Sequence, residues 1–161
     1  MKLFGIILLV SCAYLLGSLA AVNEGEKLKA LNSLISMLQF LFRRMETENK
    51  SLNLLFAQYK DGYLEKTGFL PKLRQGEADL SKRWEKGLDC LNLEEHLKNE
   101  LLHFGESLGR LGLEAQLKNI NQCVSFLEQE KEKLKTNLPQ KQKSIKAVAF
   151  LLGALTAIIL I

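Results

Sequence analysis

The sequence has few of the residues that mark disulfide-rich, collagen-like or disordered chains. Its 161 residues include three cysteines, two prolines and 11 glycines, and only 7% are aromatic. Three cysteines are too few for a dense disulfide framework, and so little proline and glycine excludes collagen-like and Pro/Gly-rich disordered chains. No run of strand length alternates apolar with polar residues, which favours an all-α protein.

Charge is absent from both ends of the chain. Residues 3–22 form an uncharged run of 20, and residues 147–161 form a second run of 15. As a helix the first run is about 30 Å long, enough to cross the hydrocarbon core of a membrane. The sequence therefore predicts an N-terminal transmembrane helix in residues 1–23 and a shorter C-terminal one in residues 145–161, where Lys146 must reach toward the interface.

A cleaved signal peptide is the alternative interpretation of the first run. Lys2 precedes the apolar stretch. Small residues stand near its end, at Ser18, Ala20 and Ala21. Both features are typical of secretory signals. The chain would then be an exported helical binding domain with a C-terminal membrane anchor, in which Cys90 and Cys123 could form a disulfide.

The lysines before the second run predict which side of the membrane the middle of the chain occupies. Between residues 131 and 146 there are six lysines and a single acidic residue, Glu132. The positive-inside rule places such a cluster in the cytoplasm, so residues 24–144 are expected to form a cytoplasmic domain. All but two of the chain's 22 basic residues, Lys2 and Lys146, and all 18 acidic residues lie in this segment, where they are mixed without the basic face of a nucleic-acid binder.

Apolar spacings of three and four predict that residues 24–144 form a small helical bundle. The first helix, at about residues 26–48, carries a row of apolar residues on one face: Leu28, Leu31, Ile35, Leu38, Phe42 and Met45. Residues 51–59 and 78–89 are predicted helices, and Asp61–Gln75 is expected to be irregular at its edges because it contains two glycines and a proline. We expect Trp84 to anchor the core from the second of these helices.

Two more helices are predicted from capping residues and apolar rows. Asn92, with Glu95 three residues later, matches a capping box, and Gly109 or Gly112 is expected to end that helix. The last helix carries a row from Leu113 through Leu117, Ile120 and Val124 to Leu127, with Leu134 and Leu138 further along. Lys131 interrupts the row, so burial should end near Leu127.

No residue pattern predicts catalysis or a cofactor. His96, Glu100 and His103 share a helix face, but the pattern is not HExxH, and a solvated face is the favoured interpretation. The glycines between Gly105 and Gly112 lack the lysine and hydroxyl of a phosphate-binding loop, so they are interpreted as a helix–turn–helix junction. We therefore expect a protein that is not an enzyme and binds neither a metal nor a small-molecule substrate.

The order of several segments resembles the stage III sporulation protein AB family of endospore-forming bacteria. Residues 38–48 end in Met45-Glu46-Thr47-Glu48, similar to the end of the family's first soluble helix, and Trp84 lies where the family carries a tryptophan. The turn into the last helix and the apolar tail with Gly153 also look like the family's. The residues that follow the family's spacing at this turn are Phe104, Leu108-Gly109, Gln116 and Ile120.

The resemblance implies a membrane component of the channel complex between mother cell and forespore. It implies a cytoplasmic domain similar to the helical F domains of the type II secretion inner-membrane platform. It also implies membrane lipid, other membrane subunits and the sporulation ATPase, stage III sporulation protein AA, as partners. The expected role is that of a non-catalytic adaptor for this ATPase. We predict the contact surface in the basic, partly aromatic segment 61–83, at Tyr63, Phe69, Lys72, Arg74, Lys82 and Arg83.

Overall fold

The structure is a computed structural model of the whole chain. It describes the backbone of residues 2–48, 50–75 and 79–160, and side chains from residue 25 to residue 137 outside the same gaps. Within these residues it is all-helical, as the sequence predicts. The helices are α1 (Lys2–Glu48), α2 (Leu52–Gln58), α3 (Gly62–Lys66), α4 (Phe69–Arg74), α5 (Leu80–Leu88), α6 (Glu95–Ser107) and α7 (Leu113–Leu160).

The chain divides into two units. The larger is the continuous segment Lys27–Lys131, which contains the helices α2 to α6 whole and one part each of α1 and α7. The other consists of Met1–Glu26 and Glu132–Ile161, the helical segments at the two ends. The apolar core is in the larger unit, which we call the bundle domain.

The terminal runs for which we predicted membrane helices lie outside the described side chains. The described side chains do not include those of residues 1–24 and 138–161. Among the side chains that the structure does describe, no helix has a segment both long and apolar enough to cross a membrane.

Helix α1 is buried more broadly than one apolar row requires. Leu31, Ile35, Leu38 and Met45 are buried as predicted, whereas Leu28 and Phe42 are only half-buried. A second set of residues, one turn apart from each other, is also buried. This set is Ala30, Leu34, Met37 and Leu41. Two adjacent rows make a wide apolar face, which is typical of a helix covered on more than one side.

Two short helices occupy the segment Asp61–Gln75. The Asp61 side chain caps α3 by accepting a hydrogen bond from the Leu64 amide at 2.8 Å. Gly68 then turns the chain at a φ of 88°, a conformation that glycine adopts without strain. Pro71 is the third residue of α4, where a backbone N–H would have no partner within the helix, so proline is tolerated there.

The predicted start of α6 is wrong by two residues. Asn92 does not cap the helix; the N-cap is Glu94 and the helix begins at Glu95. A tight turn, in which the Leu93 amide donates to the Leu91 carbonyl at 3.0 Å, keeps the chain out of the helix until Glu94. Leu91 is buried, so its packing holds this turn in place. The Glu94 carboxylate pairs with Lys27 at 2.9 Å and does not cap α6.

The row on α7 ends where the sequence predicts. Ile120, Val124 and Leu127 are buried, and Leu127 is the last buried residue of α7 among the side chains described. The start of the row is wrong, because Leu113 is 43% exposed. The buried position in the first turn is Gln116, three residues later, which is 1% exposed.

Trp84 lies at the centre of the bundle domain, as predicted. Its side chain is fully buried, and its ring meets Phe69 and Phe104 edge-on with 5.4 Å between ring centres in both pairs. The indole N–H donates to the Leu101 carbonyl at 2.7 Å, which satisfies the one polar group of the ring. Because Phe69 lies in α4 and Phe104 in α6, Trp84 joins these helices to α5.

Candidate partner-binding surface

The six residues predicted to form a contact surface lie in α3, α4 and α5, which pack together in the bundle domain. Phe69 is not part of a surface. Its side chain is fully buried against Trp84, and its ring also lies 3.1 Å from the position that a Cβ at Gly87 would occupy. The interpretation of Phe69 as a contact residue is therefore wrong: the sequence showed an aromatic residue near basic ones, but not that α5 covers it.

Arg74 holds the end of α2. Its guanidinium donates to the Phe56 carbonyl at 3.0 Å and to the Tyr59 carbonyl, and it pairs with Glu65 at 2.6 Å. The last carbonyls of a helix have no partner within the helix, so this side chain completes α2. Burial, followed by the negative charge of Asp61, raises the pKa of Tyr59 to about 12.

Arg83 has a similar role one helix further on. It donates to the Leu73 carbonyl near the end of α4 at 2.9 Å and to the Asn53 side chain in α2 at 2.6 Å. Its third nitrogen, Nε, is buried without a hydrogen-bond partner. Both arginines are thus committed to holding short helices together, and the sequence alone cannot distinguish such residues from exposed cations.

The remaining predicted residues are accessible to a partner. Lys72 in α4 and Lys82 in α5 are exposed, and Tyr63 in α3 is half-buried. We refer to these three residues as the basic surface. Exposed lysines and an accessible tyrosine are residue types that suit contact with an acidic protein surface.

The side chains of His96, Glu100 and His103, which share one face of α6, are all exposed. His96 stacks edge-on against Phe126 at 5.9 Å, whereas His103 faces Glu106 at 3.4 Å. No group of three or more histidine, cysteine, aspartate or glutamate side chains is placed to hold a metal within the described part of the chain. The exposure of all three side chains is what the solvated-face interpretation predicts.

The two cysteines in the bundle domain are free thiols. Cys90 is half-buried in the turn after α5, and its thiol donates to the Lys86 carbonyl at 3.5 Å. Burial, followed by the negative charge of Glu100, raises the pKa of Cys123 to about 12. A thiol with such a raised pKa is almost entirely protonated at neutral pH and reacts slowly. The disulfide considered for an exported protein is not present.

Gly105 and Gly109, which the sequence assigns to one junction, have separate functions. Gly109 occupies the turn at a φ of 75° and donates its N–H to the Gln116 side chain at 3.1 Å. Gly105 belongs to α6, not to the turn, and lies directly against Trp84. The helix–turn–helix interpretation is therefore right for Gly109 and wrong for Gly105. The sequence signal for this hydrogen bond is Gln116, a polar residue at a position of α7 that faces the core.

Comparison with protein-family models identifies a family for this chain. The family model described as stage III sporulation protein AB matches residues 2–161. No curated protein and no solved structure gives a significant match. Since the family match covers nearly the whole chain, this protein belongs to the stage III sporulation protein AB family and has a role in sporulation.

Proposed function

We propose that this chain is a non-catalytic, membrane-anchored subunit of the channel complex between mother cell and forespore, and that its bundle domain is a cytoplasmic adaptor for the sporulation ATPase. The observation that carries the proposal is the family match over residues 2–161. In this proposal residues 1–23 and 145–161 are the membrane helices, and residues 24–144 are the cytoplasmic domain.

Three features of the chain support this assignment. Its two uncharged runs are at the ends, and six lysines precede the second run, which favours a cytoplasmic middle segment. The bundle domain is stiffened by Trp84, Arg74 and Arg83, each of which joins different helices. A rigid support lets exposed side chains such as Lys72 and Lys82 meet a partner without a large loss of conformational entropy.

Reversing the charge of the basic surface is expected to weaken binding to the ATPase. In the Lys72→Glu/Lys82→Glu variant we expect the affinity to fall about tenfold or more, because two favourable charge contacts become repulsive. Neither lysine belongs to the core, so far-UV circular dichroism should be unchanged. The measurement is isothermal titration of the full chain in detergent micelles with the purified ATPase.

The matched control makes the same charge change elsewhere on the bundle domain. Lys29 in α1 and Lys118 in α7 are also exposed, and the Lys29→Glu/Lys118→Glu variant should bind the ATPase as the native chain does. Equal weakening by both variants would show a general effect of charge and remove the basic surface from the proposal. If the native chain does not bind the ATPase at all, the adaptor function is wrong.

A further inference from the structure

The last part of α7 becomes purely basic before it becomes apolar. From Lys133 to Lys146 the sequence contains five lysines and no acidic residue, and the uncharged run of residues 147–161 follows directly. The backbone of α7 is helical from Leu113 to Leu160, so these lysines and the uncharged run belong to one continuous helix. A one-sided charge at this place can act on whatever surrounds the start of the run.

Distance along α7 separates the lysines into two groups. Lys141, Lys143 and Lys146 precede the uncharged run by six residues or fewer. Six residues of helix are about 9 Å long, which is close to the distance of about 8 Å over which salt screens charges in water. Lys133 and Lys135 precede the run by 12 residues or more. Twelve residues are about 18 Å, so the charges of Lys133 and Lys135 are largely screened at the run.

We refer to the first group, Lys141, Lys143 and Lys146, as the proximal lysines. The acidic residue before them in α7 is Glu132, which already accepts from Lys135 at 2.9 Å. Residues 23–28, at the end of the first uncharged run, contain two acidic residues, Glu24 and Glu26. Two carboxylates cannot neutralise three lysines, so the charge beside the uncharged runs is positive.

The position of the proximal lysines selects the kind of partner. In the proposed topology residues 145–161 cross the membrane, which brings the three ammonium groups to the level of the lipid headgroups. Lysine suits this place because its apolar stem can stay in the membrane while the ammonium group reaches the interface. Lysines clustered directly beside a membrane helix on its cytoplasmic side attract anionic lipids. A zwitterionic headgroup, which carries its own cation, is attracted less.

We propose that the proximal lysines bind the headgroups of anionic phospholipids and so concentrate these lipids around the C-terminal membrane helix. The inference rests on the proposed function in treating residues 145–161 as a membrane helix, and it adds the class of lipid that this helix prefers. The acidic residues at the end of the first run give α1 no such preference, so lipid selectivity is expected to depend on α7.

The test measures which lipid surrounds the full chain in phosphatidylcholine bilayers. Spin-labelled phosphatidylglycerol or spin-labelled phosphatidylcholine is added in trace amounts, and electron paramagnetic resonance gives the fraction of each probe that the protein immobilises. We expect phosphatidylglycerol to associate at least about twofold more strongly. This ratio should fall toward one in about 1 M sodium chloride, where the screening length is about 3 Å. Both leaflets contain the probe, so the orientation of the inserted chain does not affect the result.

Neutralising the proximal lysines should remove the preference. In the Lys141→Gln/Lys143→Gln/Lys146→Gln variant we expect the ratio to fall close to one, because no cation remains within one screening length of the run. Arginine at the same three positions keeps the positive charge and should keep the native ratio.

The matched control makes the same charge change further from the uncharged run. The Lys131→Gln/Lys133→Gln/Lys135→Gln variant should keep the native ratio, because the charges that it removes are already screened at the run. Lys133 and Lys135 are exposed and Lys131 is half-buried, so circular dichroism should stay native. An equal loss of preference in both triple variants would show a general effect of charge and overturn the proposal.

The native chain alone can also contradict the proposal. Equal association of the two probes with the inserted chain would overturn it and leave the proximal lysines to an acidic protein surface. A chain that immobilises neither probe is not inserted in the bilayer, and that result would contradict the membrane anchoring of the proposed function as well. Failure of the lipid preference is therefore distinguishable from failure of the proposed function.

Discussion

Replacing Trp84 with alanine should lower the free energy of unfolding of the bundle domain by about 3–5 kcal/mol. The fully buried ring contacts Phe69 and Phe104, and its N–H is bonded to the Leu101 carbonyl. The substitution removes these contacts together and leaves a cavity where α4, α5 and α6 meet. Since small domains are stable by only about 5–15 kcal/mol, such a loss is a large fraction of the total. Urea titration of the full chain in detergent, followed by far-UV circular dichroism, measures it.

The Trp84→Phe variant separates packing from hydrogen bonding. Phenylalanine keeps an apolar ring but cannot donate to the Leu101 carbonyl, so the loss should be smaller than for alanine, at about 1–3 kcal/mol. A thermal midpoint for Trp84→Ala within about two degrees of the native value would contradict the placement of the ring in the core.

Replacing Gly105 with alanine should also destabilise the bundle domain, although alanine favours helices. A Cβ at this position would lie 2.2 Å from Trp84 Cδ1 and 2.9 Å from Nε1, closer than real atoms approach. Relieving the overlap requires α6 or the indole to move, which would also disturb the bond to Leu101. We expect a net loss of about 1–3 kcal/mol after the gain in helix propensity of about 1 kcal/mol. The same urea titration applies.

Gly112 provides the matched control for Gly105. A Cβ at Gly112 would meet no atom within 4 Å, and its φ is not in the left-handed region, so alanine should change stability by less than about 0.5 kcal/mol. If Gly105→Ala were instead as stable as Gly112→Ala or more so, the close approach of α6 to Trp84 would be refuted.

The sequence predicted the features that depend on apolar periodicity alone. Trp84, the end of the buried row at Leu127 and most of the α1 row follow from spacings of three and four. The ends of the helices were harder to predict from the sequence, because they depend on tertiary packing. Buried Leu91 holds a turn that delays α6 beyond Asn92, and Leu113 stays exposed because the chain enters α7 from the Gly109 turn.

The candidate surface was predicted only in part, because residue type does not determine where a side chain points. Arg74 and Lys72 are two residues apart in α4, yet Arg74 binds carbonyls at the end of α2 while Lys72 is exposed. A planar guanidinium can donate to several acceptors at once, so arginine is suited to such a position.

The most direct test of the account is the side of the membrane on which the bundle domain lies. Native Cys123 is a poor reporter, because burial and Glu100 raise the pKa of its thiol to about 12. Ala57 in α2 is exposed, so Ala57→Cys, in a chain with Cys12, Cys90 and Cys123 replaced by alanine, provides an accessible thiol. A membrane-impermeant maleimide applied to intact, non-sporulating Gram-positive cells should fail to label this thiol, and should label it once the cells are permeabilised. Equal labelling before and after permeabilisation would place the domain outside the cell and contradict the adaptor function.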